Sequence, residues 1–493
     1  MVSLATDAAR VVPFARIRSR LPAWVRHPLA LGLLLLFAGC SQTWVALMGD
    51  GIGDIRLYER YGQHVAHGLV PYRDFFFDWP PGAVVPVLLP ALPGGAYIDW
   101  FHATLFVYAF ATLALVHLTL TGLEVGGRRL YAAVAASALL PCALGAISIN
   151  SFDYWPALFT VGALAAFVRG RDRLGLALLA VGIVSKVYPV VILPLVLVSI
   201  ARRRGRLEAL RGLAVCAGTS ALVALPFAVL GFRGLATTSV QQLRRGLQME
   251  SLGASVLMAL DHLGLADVHV IVGKPYSLDV VGGGAAAVAA VSSLLVLGAL
   301  ATVVLAYASG PDDAQRLVTA SAAAVAAWIA FNHVLSPQFL VWLFPLVPLV
   351  AGSVGARATA TLFAACLMTM TWFPGRFWHL VAVEQVSWFV LVRNLLLVGL
   401  FAVLTAEVAR GAARRGRVAW RPWHSSGPRS TSPAATSRSS WESTTSSSAK
   451  APRRPPAARS PSTTSASPFA PARSSTPPGT AGSRSSSASA RAR

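Results

Sequence analysis

Charge is scarce in this chain. Only 13% of its residues are Asp, Glu, Lys or Arg, against about 25% in a typical soluble domain. With 55% hydrophobic residues and a mean hydropathy of +0.60, that shortage excludes a large soluble core and implies a polytopic membrane protein. Cysteine is nearly missing as well. Cys40, Cys142, Cys216 and Cys366 all fall in apolar segments without metal-site spacing, where thiols act as small hydrophobes. Cys40 closes an LALGLLLLFAGC run that looks like a lipidation signal. The chain stays apolar beyond it as SQTWVALM, so an uncleaved first helix is expected. No Walker A, GxGxxG or HExxH pattern occurs, and no long extramembrane α/β segment could house a nucleotide-sugar domain. Neither a metal nor another cofactor is expected.

Acids are the scarcer charge: 20 Asp and Glu face 42 Lys and Arg, a net charge of +22. In a soluble protein that balance would suggest nucleic acid. Here the arginines sit in short clusters between apolar runs, the positive-inside pattern, so no nucleic-acid partner is expected.

A span needs about 20 apolar residues. Candidate spans are residues 28–48, 98–121, 130–148, 154–168, 209–231, 281–308, 316–335, 338–352, 357–373 and 386–408. Residues 173–200 lie between two basic flanks, RGRDR and ARRRGR, and are too short for two full spans. They are predicted to form a hairpin of two short helices turning at Ser185-Lys186. Irregular backbone at membrane depth is tolerated where protein buries it or it lines a cavity, which places Lys186 in a cavity.

The expected fold is therefore an all-α integral membrane protein of about 10–12 helices with both termini cytoplasmic. A basic N-terminus (1–27) precedes the membrane domain (28–408). After it, residues 409–493 become a basic Ser/Arg/Pro-rich tail, which cannot bury enough surface to order itself. The abruptness of that change also fits a frameshifted gene end, which resequencing would test. The tail is assigned no function.

Four patches carry chemical content, all expected on the outer face. The first is the loop 49–86, with Asp50, Asp54, Tyr58, Tyr72, Arg73, Asp74, Asp78, Trp79 and a Pro-Pro pair. Within it DIRLYERYGQHV is predicted as a short amphipathic helix with Ile55, Tyr58 and Gly62 on one face. Asp54 is then either a plain N-cap or a carboxylate base, Asp50 is its reserve, and Asp74 or Asp78 could simply pair with Arg73. The second patch is Lys186 with Tyr188 and Pro189: a lysine in an apolar hairpin must be paired, bind an anion or snorkel. The third is Gln241 to Ser255, read as an external amphipathic stretch with Arg244, Arg245, Gln248 and Glu250. The fourth is FNHVLSPQFLVWLFP, where Asn332, His333, Ser336 and Gln338 gather at a break enforced by Pro337. His333 is either structural or a phosphate ligand.

A candidate base, several cations and aromatic platforms at a lipid boundary suit group transfer from a lipid-phosphate carrier to a hydroxyl. The Asp312-Asp313 pair falls on the cytoplasmic side and is not expected to hold a metal. The main rival is a multi-pass transporter or flippase, but no internal repeat is present and the polar residues avoid the midplane.

At these residues the sequence resembles a GT-C superfamily glycosyltransferase, most closely glycosyltransferase family 87, the polytopic mannosyltransferase-like proteins. The resemblance rests on DIRLYERYGQHVAHGLVPYRDFFFDWPPG, SKVYPVVILP, LQMESLGAS and LSPQFLVWLFPL, in that order, and covers roughly residues 28–408. It implies a polyprenyl-phosphate sugar donor, commonly carrying mannose, and a glycolipid or glycan acceptor. It further implies metal-free inverting transfer at the outer face of the cytoplasmic membrane, with Asp54 as general base. The Phe77-Asp78-Trp79-Pro80-Pro81 run stands where a Glu-Tyr-Pro-Pro motif is expected, a conservative departure. The resemblance leaves the acceptor open.

Overall fold

The computed structural model describes residues 27–45, 53–273 and 277–413. Asp50, most of the basic N-terminus and most of the tail lie outside them. In chain order the helices are α1 (Pro28–Val45), α2 (Ile55–Ala66), α3 (Tyr97–Gly122), α4 (Gly127–Leu144), α5 (Tyr154–Val168), α6 (Asp172–Ser185), α7 (Leu193–Arg204) and α8 (Arg206–Leu243). They continue with α9 (Leu252–His262), α10 (Ala285–Ser309), α11 (Ala314–Phe331), α12 (Gly352–Met370) and α13 (Ser387–Ala413). Among the described residues the chain is an all-helical polytopic membrane protein apart from one small sheet. Seven helices among the described residues (α3, α4, α8 and α10 to α13) are long and apolar enough to cross a membrane, and shorter apolar helices fill in between them.

Burial separates the helices into layers. α5 and α11 are almost wholly buried, whereas α8 and α10 expose leucines and valines along most of their length, such as Leu222, Val229 and Leu294. Exposed apolar surface of that extent is the face a bilayer would cover. α5 and α11 therefore mark the protein-facing centre. Residues 338–352, expected as a span, instead form two 3-10 segments, Pro337–Leu343 and Val347–Leu349, buried at that centre. Pro337, Pro345 and Pro348 remove the amide hydrogens that a continuous helix needs.

The 173–200 segment is the expected hairpin. Its two ends meet: Arg203 and Arg204, at the end of α7, each pair at 3.1 Å with Asp172, which opens α6. The hairpin is tied to its neighbours at the same level. Arg203 lies 3.3 Å from Asp312, which also accepts from Ser199 (2.8 Å) and Tyr307 (2.6 Å). Arg316 donates to the Tyr307 and Pro311 carbonyls, both at 2.8 Å, while Asp313 caps α11 by accepting from the Arg316 amide. The Asp312-Asp313 pair is thus occupied structurally. The Ser185-Lys186 turn lies at the far end of the hairpin from this arginine cluster.

Two further features differ from the sequence reading. The Gln241–Ser255 stretch is no free amphipathic helix. α8 runs on to Leu243, and Leu247–Gln248 form β1 of an antiparallel sheet with β2 (Val268–Val272) and β3 (Leu278–Gly282), in the order β1-β3-β2. β3 is central, its Val280 opposite both Leu247 and Val270. In addition α8 kinks at Gly231 (φ −143°, ψ 38°), where the first loop lies against it. Tyr72, itself at φ 68°, presses its backbone on Gly231 and Gly234 so closely that a Cβ on Gly234 would overlap the Tyr72 carbonyl. Gly234→Ala should cost about 1–3 kcal/mol by overpacking and lower the unfolding midpoint in detergent. Gly298→Ala, inside α10 where a Cβ meets open space, should not lower that midpoint, since alanine is the better helix former by about 0.5–1 kcal/mol.

Candidate active site

Above α5, at the end of the bundle opposite the arginine cluster, three segments converge. They are the linker Asn150–Asp153, the hairpin apex at Lys186 and the 3-10 segment Pro337–Leu343. Lys186 ends α6 in an extended conformation (φ −157°, ψ 130°), and Pro189 keeps the next turn tight. Its Nζ donates to Asp153 Oδ1 at 2.6 Å. The Trp342 indole donates to the same oxygen, also at 2.6 Å. The ammonium lies 4.9 Å from the Phe152 ring centre, 5.3 Å from Phe339 and 5.5 Å from Trp342. Trp342 is sandwiched between Tyr188 (4.0 Å) and Phe339 (4.2 Å), and the Tyr188 hydroxyl meets Thr160 Oγ1 at 2.9 Å. The anion that makes a buried lysine tolerable here is Asp153, which is 0% exposed.

The first loop is clamped onto this apex. A Cβ on Gly82, after the Pro-Pro pair, would come within 2.6 Å of Ser185 Oγ. The Trp155 indole bridges the Gly82 carbonyl (3.2 Å) and Ser185 Oγ (3.0 Å). That contact carries α2 into position. α2 buries Ile55, Tyr58, Tyr61 and Gly62, and Tyr58 packs among Trp79, Phe101 and Phe152. Asp54 occupies the N-cap position but its side chain makes no capping bond. It accepts instead from the Tyr58 hydroxyl. Burial raises the Asp54 pKa, Lys186 and Arg245 pull it back down, and Asp153 pushes it up.

Around Asp54 stand further groups from the first and third patches. Asp78 accepts from the Tyr61 hydroxyl at 2.8 Å, its carbonyl accepts from Gln242, and burial raises its pKa. Burial lowers the Arg245 pKa, countered by Asp279, Glu250, Asp78 and Asp54. Its Nε is buried without a hydrogen-bond partner. Glu250, 4% exposed, accepts from Gln248 Nε2 at 2.9 Å, and burial moves its pKa up to about 7 against the pull of Arg393 and Arg245. Arg393 and Asn394 of α13 hold the Glu250 carbonyl at 2.7 and 3.2 Å. His333 borders Arg245. Burial lowers its pKa, with Arg245 adding to the effect, while its Nδ1 lies 3.3 Å from Ser293 Oγ and its carbonyl accepts the Gln248 amide.

The structure thus gathers Asp54, Tyr58, Asp78, Lys186, Tyr188, Arg245, Glu250 and His333. Other expected members stand apart. Arg73 is exposed and paired with Asp74 at 2.8 Å, an interaction that holds the Asp74 carboxyl down to about 2. Arg244 is exposed. Tyr72 is a prop whose hydroxyl donates to the Trp79 carbonyl at 2.5 Å. Ser336 donates to Gln338 at 2.6 Å, and both introduce the Phe339–Trp342 wall. Asp50 lies outside the described residues. Sequence reasoning missed Asp153, Trp342 and Arg393. The available signals were an acid at the break in SINSFDYWP and an arginine inside LVRNLLLVGL.

No family model matches the chain, and no curated protein matches it. Among solved structures it is similar to the crystal structure of ArnT from Cupriavidus metallidurans in the apo state, at 13% identity and a TM-score of 0.40 over 77% of each chain. That likeness is too distant to carry chemistry, which is read from the side chains.

Breaking a buried ion pair by removing one partner costs about 3–5 kcal/mol. Asp153→Asn and Lys186→Met should each destabilise the protein on that scale, and the double variant by clearly less than the sum. Unfolding midpoints in detergent measure this, and strictly additive losses would show that the pair is not coupled.

Proposed function

We propose that this chain is a GT-C-type membrane glycosyltransferase. It moves a sugar, with mannose the first candidate, from a polyprenyl-phosphate carrier to a hydroxyl of a glycolipid or glycan. The observation that supports this most is one half-buried carboxylate, Asp54, within electrostatic reach of two cations of different standing. Lys186 is fixed by Asp153, and Arg245 has an N–H to spare. The acceptor hydroxyl gives its proton to Asp54 as its oxygen attacks the anomeric carbon. The bond from that carbon to the phosphate oxygen breaks, its electron pair leaves with the carrier phosphate, and Arg245 stabilises the charge that develops. Attack opposite the leaving group inverts the anomeric centre. Trp79 and Phe339, both partly exposed, supply apolar faces of the kind sugar rings stack on, and the buried Tyr58 backs Trp79 from behind.

The site lies opposite the arginine cluster at the hairpin base, so positive-inside bias favours the outer face of the cytoplasmic membrane. The gathering of charge at one end, away from mid-helix, also favours an enzyme over a transporter.

Membranes supplied with polyprenyl-phosphomannose and a glycolipid acceptor should show sugar transfer, and Asp54→Asn should lower its rate by about 10²–10⁴-fold. Full activity in that variant would remove Asp54 as base, and movement of substrate into sealed vesicles without covalent transfer would point to a transporter. Because Asp54 works ionised and burial raises its pKa, the rate should rise with pH through that raised value. Arg245 lowers the Asp54 pKa, so Arg245→Gln should move the acidic limb of the profile to higher pH. A limb that stays put would separate Arg245 from the base.

A further inference from the structure

We infer that the acceptor carries a negative charge and that Arg56 and Arg60 of α2 receive it. This rests on the glycosyltransferase reading of the site. With Ile55, Tyr58, Tyr61 and Gly62 buried, the opposite face of α2 is fixed in its direction. At about 100° per residue, Arg56, Arg60 and His67 fall in a single narrow stripe on that face, and all three are exposed. The helix cannot rotate the stripe away, because a Cβ on Gly62 would come within 2.5 Å of the Val87 carbonyl.

Among the described residues neither arginine makes an ion pair. Glu59 is the one acid in α2, and it makes no ion pair among the described residues, its field falling on Tyr97 instead. Arg60 lies 5.8 Å from the Tyr61 ring centre, and the Tyr61 hydroxyl holds Asp78. The charge of Arg60 also reaches Asp78. Arg60 therefore stands within reach of the Asp78 end of the site, and Arg56 follows one turn along the same face, two residues from Asp54.

Two physical points give it a ligand. Positive-inside bias accounts for arginines at the hairpin base, but not for a cationic stripe at the opposite end of the bundle. Inside the site, Asp153 is paired with Lys186 and Glu250 lies within the field of Arg393, which leaves Asp54 and Asp78 beside Arg245. The interior thus has one open cation for the donor phosphate and none for a second anion, while a neutral hydroxyl is admitted. A cationic rim around an acidic interior orients an anionic acceptor with its charge held outside and its glycan pointing in. A phosphate or carboxylate headgroup has that chemistry, and so does an anionic lipid of the surrounding bilayer.

The test uses the full chain in zwitterionic phosphatidylcholine nanodiscs, with two acceptors that share one glycan. One bears a phosphodiester headgroup and the other an uncharged alkyl chain. In the double variant R56Q/R60Q, KM for the phosphodiester acceptor should rise about tenfold while kcat changes by less than about twofold. Kinetics with the alkyl glycoside should not move, and R56K/R60K should retain the wild-type preference. Added salt should weaken that preference in the wild type. Equal effects on both acceptors, or none, would overturn the inference. So would a charge preference that appears only once phosphatidylglycerol is added, which would assign the stripe to the bilayer. Wild-type protein that transfers sugar to neither acceptor would instead overturn the glycosyltransferase reading, and this inference with it.

Discussion

The pair formed by Asp153 and Lys186 is the interaction on which the site depends. Two opposite charges withdrawn from water carry a desolvation cost that their attraction alone does not always offset. Here the cost is shared. The Trp342 indole donates to the same carboxylate oxygen, and three aromatic rings surround the ammonium in the manner of cation–π contacts. Each contributor comes from a different part of the chain: the linker before α5, the hairpin apex and the 3-10 segment after α11. One ion pair therefore fixes three segments that no backbone hydrogen bond joins directly, and it does so beside Asp54, whose protonation it biases from both signs.

The rest of the bundle separates two kinds of polar assembly by a stretch of apolar helix. At the hairpin base, Asp172 and Asp312 pair with Arg203 and Arg204, and Arg316 satisfies carbonyls left open near a helix end. At the apex the balance is incomplete. Arg245 keeps an unpartnered Nε, and burial raises the carboxyl pKa of Asp54, Asp78 and Glu250 above the usual values. The base is an assembly at rest, whereas the apex has capacity left for a further charge.

Much of this was legible in the sequence where a local pattern carried it. The amphipathic period of DIRLYERYGQHV located α2 to within a residue of its ends, and the arginines on both flanks of 173–200 demanded a hairpin. Lys186 stood out because an unexplained lysine in an apolar run has few affordable settings. What stayed hidden depended on contacts distant in sequence. Asp153 sits among Phe152, Tyr154 and Trp155 and reads as an ordinary interhelical turn until Lys186 is brought to it. Trp342 lay inside a run apolar enough to read as a span, and only its three prolines argued for short 3-10 turns. The sheet was missed because Val268–Val272 is brief and its partner β3 is separated from β1 by a helix. Arg73 misled in the opposite direction: its neighbour Asp74 satisfies it locally.

The close approach of Gly82 to Ser185 has a consequence for how such a protein can change over time. The first loop and the hairpin apex meet without room for a side chain between them, and Trp155 bonds to both at once. Neither surface can drift alone. A substitution that reshapes one must be matched in the other, so residues 53–91 and 150–192 form a single heritable module despite their separation in the chain. Diversification is freer on the outward face of α2 and along α8 and α10, where side chains meet solvent or lipid. Relatives of this chain would then keep the apex and vary around its rim.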